Sequence, residues 1–139
     1  MAVEVEAAGL AAERARPASQ CAVARALAAM QRAFERGEAA IDGAFAFHHA
    51  VAAATGNRQF SRFLEHLGRF TIPRLSVRVA ADRLSDPIAY LRTIQQEHAR
   101  ICAAIQGRDA TAARDAMRTH PTNGRERYRR FKANPAGAA

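Results

Sequence analysis

The segment IDGAFAFHHAVAAATGN, residues 41–57, decides the fold because it is an apolar helix interrupted by a histidine. At 3.6 residues per turn, one face of this predicted helix carries Ile41, Ala44, Phe45, His48, Val51, Ala52 and Thr55. The His48 side chain is therefore expected to point into the protein. Gly56 and Asn57 then provide the left-handed cap and the restart that are typical of a tight turn between helices.

Two further predicted helices also place a histidine on an apolar face. These faces are Ile94, His98, Ile101 and Ile105 in one helix, and Ala113, Ala116, Met117 and His120 in the other. Neutral imidazoles from three core-facing helices suit a divalent transition metal, because several desolvated polar rings would otherwise have to be buried together. We therefore predict that His48, His98 and His120 meet at one metal site.

The whole chain has the size and composition of a single all-α domain. Its 139 residues are enough for a self-sufficient core, and the 49% hydrophobic content is rich in alanine and lacks tryptophan. We find no period-two alternation of a half-buried strand. The apolar periodicity predicts an antiparallel bundle of about six helices joined by short turns.

Start and stop signals give the predicted helix limits. The first helix is predicted from Val3 to about Ala15. The second is capped by Ser19 and closes at Gly37, and the third runs from about Glu38 to Thr55. A long helix bends at Pro73, and the next begins at Asp86-Pro87 and stops at Gly107. Asp109 caps the last helix, which Pro121 is expected to strain or break near Met117. Residues 133–139 are expected to form a disordered tail after a domain spanning 1–132.

The net charge of +8 comes from 21 basic and 13 acidic residues. This excess suits nucleic acid or anionic lipid as partner, but the arginines are scattered, which favours a solvated basic surface. The basic residues cluster only near the end, as Arg125, Arg127, Arg129, Arg130 and Lys132 with Tyr128 and Phe131 between them. A nucleic-acid contact is one interpretation of this cluster, and the charged end of a helix is the one we favour.

The cysteines and the absence of a long apolar run indicate a cytoplasmic protein. Cys21 and Cys102 lack a CxxC spacing and are predicted to be reduced thiols in the core. The chain has no apolar run near the roughly 20 residues that cross a bilayer, and its acidic opening is unlike a signal peptide. We therefore expect no membrane partner.

Three segments, in order, resemble the FCD domain, the effector-binding domain of FadR-type GntR-family bacterial transcription regulators. They are EVEAAGLAAERA at 4–15, FHHAVAAATGN at 47–57 and EHARICAAIQGRDATAARDAMRTH at 97–120. The resemblance implies a helical sensor that dimerises and binds a small organic acid, in many members beside a metal held by three histidines and an aspartate. The matching histidines are His48, His98 and His120.

The chain departs from the family pattern at two positions. Ala44 stands where the family has its aspartate, and Pro121 follows His120 where the family usually has leucine. Asp42 is a substitute ligand only if the helix starts late or bulges at Gly43, because six residues correspond to about 240° around a helix.

Three imidazoles hold Zn²⁺, or alternatively Ni, Mn or Fe, with one position open. Without the aspartate the site gains net positive charge, so we expect the carboxylate of a metabolite to complete the coordination shell. Arg74 and Arg78 are candidates to pair with the far end of that effector. The resemblance also implies a homodimer, with DNA read only by a winged-helix domain, which this sequence is not expected to contain.

Two alternative functions stay open. A metal-dependent enzyme would use the open position to activate water, with Asp42, Glu97 or Glu65 as base. A domain that keeps its histidines without metal would act only as a helical dimerisation module. His49 and His66 lie outside the apolar face and are expected to be surface or satisfied residues.

Overall fold

The computed structural model describes the backbone of residues 2–36, 40–68 and 87–120, and the side chains of 2–36, 43–66, 88, 89 and 91–120. The described chain is all-α, as predicted. Its helices are α1 (Ala2–Arg14), α2 (Pro17–Glu35), α3 (Ala40–Ala54), α4 (Arg58–Phe63), α5 (Pro87–Gln106) and α6 (110–120). A π-helical turn over Leu64–Gly68 continues α4. None of the described helices is both long and apolar enough to cross a bilayer.

The connection between α1 and α2 shows how proline sets a helix boundary. α1 ends before Arg16, and α2 begins at Pro17 with Arg16 as its N-cap residue. The prediction that Ser19 caps α2 is therefore wrong. Proline already has the φ angle of a first helical residue, so the helix starts three residues earlier than a Ser19 cap would place it. The amide of Ser19 donates to the Arg16 carbonyl instead.

Side-chain caps at the other connections agree with the sequence. Gly56 has φ 72° after α3, and the Asn57 side chain accepts a hydrogen bond from the amide of Gln59 at the start of α4. Asp109 accepts from the amide of Ala112, 2.9 Å away, and so caps α6 as predicted. These bonds satisfy amides that the first turn of a helix leaves without intrahelical partners.

Long-range hydrogen bonds show that α2 and α5 run antiparallel. The Gln20 side chain, near the start of α2, donates to the carbonyl of Ile105 at the end of α5. Farther along α2, the carbonyl of Leu27 accepts from Gln95. α3 packs against α1 and α2, and α5 packs against the same two helices. Residues of all four helices belong to one hydrophobic core.

The core consists of small residues from α1 and larger ones from the other helices. Phe47, Val51, Ile101, Ile105 and Met117 are fully buried against the alanines of α1. Alanine lets helix axes approach closely, which brings the polar residues of one helix within reach of the next. Gly43 has the same effect at the contact with α2, because an added Cβ would lie 3.2 Å from the Cα of Met30.

Two further predictions are wrong in the described chain. Cys102 is buried and reduced, but Cys21 is exposed, so it is a surface thiol rather than a core thiol. α6 continues unbroken through residue 120 instead of breaking near Met117. A proline at 121 removes only its own bond to the carbonyl of residue 117, and residues before it keep their amides for the preceding turn.

Other predictions fall on residues outside the described ones. They concern the end of α2 at Gly37, the bend at Pro73, the effector contacts of Arg74 and Arg78, the basic cluster over 125–132 and the tail over 133–139.

Candidate metal centre

His48, His98 and His120 come together at one point between α3, α5 and α6. One ring nitrogen from each lies within 4.8 Å of the others. His48 and His98 are buried, and His120 is partly buried. The three histidines therefore lie close enough to bind one metal ion, as the helical periodicity predicted.

The ring of His98 is fixed from two sides. Its Nδ1–H donates to the carbonyl of Ile94, 2.9 Å away and one helical turn earlier. The edge of the Phe47 ring packs on it, with ring centroids 4.9 Å apart. Because a carbonyl oxygen only accepts, the proton of neutral His98 is on Nδ1. Its Nε2 therefore presents a lone pair toward the other histidines.

His48 is held by a carboxylate from α1. Its Nδ1 lies 2.9 Å from Glu4 Oε1, at ion-pair distance. Burial is the largest single influence and raises the pKa of Glu4, but the neighbouring positive and hydrogen-bonding groups, first among them His48 and with a smaller contribution from His120, together lower the pKa below its usual value. Glu4 is therefore ionised at neutral pH, and its carboxylate faces Nδ1 of His48.

His120 has the same kind of partner. Its Nδ1 lies 2.7 Å from Glu97 Oε2, and both side chains are largely buried. Glu97 precedes His98 in α5, so adjacent residues of one helix supply a site histidine and the acceptor for another. In all three histidines Nδ1 faces an oxygen, and the second nitrogen remains for the centre of the cluster.

The spacing of the nitrogens fits a metal ion. The Nε2 atoms of His48 and His98 lie 3.3 Å apart. Two imidazole nitrogens bound to Zn²⁺ at tetrahedral angles are separated by about 3.3 Å, given Zn–N bonds of about 2.0–2.1 Å. A metal-binding histidine usually also donates its other N–H to a carbonyl or carboxylate. His98 and His120 show this second feature, through the Ile94 carbonyl and Glu97.

Other residues singled out in the sequence take different positions. α3 is a continuous helix through Gly43, without a bulge there, and the Asp42 side chain lies outside those described. Glu65 pairs with His49 across 3.0 Å, and His66 is exposed, so these two histidines are surface residues as expected. None of these described side chains joins the cluster.

A model of the FCD domain family matches residues 1–123, most of the chain. The chain belongs to the FCD family. FCD domains are effector-binding regulatory domains of GntR-family transcription regulators. No curated protein matches this FCD domain.

Sequence reasoning missed the role of Glu4 and considered Glu97 only as a base. Glu4 lies on the same face of α1 as buried alanines, including Ala8, Ala11 and Ala15. A carboxylate on such a face is a signal in itself, because it is buried only at a cost that a partner offsets. The periodicity argument used for the histidines, applied to α1, would have predicted that Glu4 is buried beside a polar partner.

Proposed function

We propose that this FCD domain senses a small carboxylate metabolite beside a divalent metal held by His48, His98 and His120. Zn²⁺ is the metal that we propose, with Ni²⁺, Mn²⁺ and Fe²⁺ as alternatives. The metal would supply a Lewis-acidic centre with an open position at the core of the bundle.

The observation that carries this proposal is the approach of His48 and His98. Glu4 lies beside Nδ1 of His48 and the Ile94 carbonyl beside Nδ1 of His98, and the Nε2 atoms of the two rings lie 3.3 Å apart in the buried cluster. This separation matches the distance of about 3.3 Å between two imidazole nitrogens that bind one tetrahedral Zn²⁺ ion. A third imidazole 4.3 Å from the ring of His98, measured between centroids, adds another donor to the same point.

The donor set supports a carboxylate as the effector. Three histidines leave one position of a tetrahedral ion open, and a carboxylate oxygen is an ordinary ligand of Zn²⁺. Ala44, on the helix that carries His48, offers no ligand. We include in the proposal that Arg74 and Arg78 pair with the far end of the effector.

The signal would arise because one ion joins three helices. α3, α5 and α6 each supply one ligand, so metal and effector favour the bundle packing in which the three helices meet. In a homodimeric regulator, an attached DNA-binding domain would respond to that shift in population.

Calorimetry on chelator-stripped protein tests the metal site. Wild type is expected to bind one Zn²⁺ per chain, His98→Ala to lose this binding, and His66→Ala, in an exposed residue, to retain it. Titrations with Ni²⁺, Mn²⁺ and Fe²⁺ rank the alternatives. Absence of Zn²⁺ binding by folded wild type, or binding that His98→Ala leaves intact, would refute the site.

A second titration tests the effector. Metal-loaded protein is titrated with small mono-, di- and tricarboxylates, and at least one is expected to release heat that prior removal of the metal abolishes. If none does so, or if the heat persists without metal, the carboxylate part of the proposal is wrong while the metal site stands.

A further inference from the structure

Two carboxylates lie behind the histidine cluster, one on each side. Glu4 and Glu97 are each 6% exposed and come from two different helices, α1 and α5. Glu4 contacts Nδ1 of His48 at 2.9 Å, and Glu97 contacts Nδ1 of His120 at 2.7 Å. Both therefore meet a site histidine on the side away from the centre of the cluster.

We infer that Glu4 and Glu97 are positioning residues that orient His48 and His120 and balance the charge of the bound metal. The inference rests on the metal part of the proposed function. A carboxylate at Nδ1 keeps the proton on that nitrogen, fixes the rotation of the ring and makes the opposite nitrogen a stronger donor. Together the two carboxylates carry as much negative charge as a divalent ion carries positive charge.

The arrangement is poorly explained by stability alone. Burying an ionised carboxylate costs several kcal/mol, and its attraction to one imidazole often does no more than offset that cost. Two such pairs at one cluster, both on the outer nitrogens, give a net benefit once a cation occupies the centre, because each carboxylate then also attracts the ion.

The inference changes the expected role of an anionic effector. Without Glu4 and Glu97, three neutral histidines and a divalent ion would leave a buried double positive charge that an anion would neutralise. With them the charge is already balanced. The metal is therefore held firmly without effector, and a carboxylate ligand gains from coordination more than from net charge.

Metal affinity provides the first test. Glu4→Gln and Glu97→Gln keep the size of each side chain and remove its charge, while Glu6→Gln does the same at an exposed position of α1. Zn²⁺ affinity, measured by competition with a chromophoric chelator, is expected to fall about 10–100-fold in each of the first two variants. Glu6→Gln is expected to bind like wild type.

The second test separates charge balance from a structural role. Co²⁺-loaded proteins are titrated with acetate and followed by the visible absorption of the ion. Acetate is expected to bind more tightly to Glu4→Gln and Glu97→Gln than to wild type, because the site has gained positive charge. A merely loosened site would bind acetate more weakly.

The outcomes separate the inference from the function beneath it. If wild type binds Zn²⁺ and both glutamine variants match Glu6→Gln, the inference is overturned and the metal site stands. Weaker metal binding without tighter acetate binding overturns the charge-balance part. If folded wild type binds no Zn²⁺, the metal site and this inference fall together. Thermal melts of the metal-free proteins check that the variants remain folded.

Discussion

Arg108 takes a backbone conformation that usually belongs to glycine. Its φ is 56°, in the turn between α5 and α6. The amides of Arg108 and Asp109 donate back to the carbonyls of Ile105 and Ala104, at 3.2 and 3.0 Å, which closes the end of α5. The Arg108 side chain also donates to the carbonyl of Ala15, 3.0 Å away, just after α1. Its guanidinium thus ties this turn to the connection between α1 and α2.

Two substitutions separate the effect of the backbone strain on stability from the effect of the side-chain hydrogen bond. Arg108→Ala removes the hydrogen bond, worth about 0.5–1.5 kcal/mol, and keeps the left-handed strain. Arg108→Gly removes the same bond but also relieves strain of about 1–2 kcal/mol, part of which the greater freedom of unfolded glycine offsets. We therefore expect Arg108→Ala to lower the free energy of unfolding by about 1 kcal/mol and Arg108→Gly to leave it near the wild-type value.

Chemical denaturation followed by circular dichroism measures these differences. Arg100→Ala, at an exposed arginine inside α5, is the control for loss of a positive charge. Equal stability of Arg108→Ala and Arg108→Gly would refute the left-handed strain. Equal stability of Arg108→Ala and wild type would instead show that the bond to Ala15 contributes nothing.

Three further predictions concern packing and thiol chemistry. Exposed Cys21 is expected to react rapidly with a thiol reagent in the native protein, and Cys102 only after unfolding, because burial raises the pKa of the Cys102 thiol. A kinetic trace with two equally fast thiols would contradict this. Ile101→Ala is expected to lower the free energy of unfolding by about 2–5 kcal/mol, whereas Ile88→Ala, at a residue 59% exposed, changes it by less than about 0.5 kcal/mol in the same denaturation assay. Gly43→Ala is expected to be net destabilising because its Cβ would press on the backbone of α2, and any increase in melting temperature would count against that contact.

Local chemistry made most of the described fold predictable. Proline at 17 and 87, Gly56 and the Asp109 cap each act within a few residues, so the sequence around them predicts the helix boundary. The error at Ser19 arose because two local signals competed, and the proline preceded the serine. Here the helix begins at Pro17, before Ser19 can act as a cap.

Periodicity predicted the buried side of a helix only where large apolar residues marked that side. His48 and His98 lie on faces with large apolar neighbours, and both are buried. Cys21 lies two residues before buried Val23, which is about 200° around α2. Cys21 is therefore exposed. The prediction was wrong because alanines occur on several sides of α2, so the sequence does not show which side is buried.

The contacts of Glu4 with His48 and of Glu97 with His120 could not be predicted from any single helix. Glu4 reaches His48 only because the alanines of α1 let that helix pack closely on α3, and the sequence around His48 carries no trace of this contact. From Ala44 alone, the site was expected to have gained positive charge. Under the proposed function, Glu4 and Glu97 would leave the metal with an open position but without an excess of charge. An effector that filled this position would then be selected by its donor atom and its fit to the bundle, and a neutral ligand with a suitable oxygen would compete there with a carboxylate.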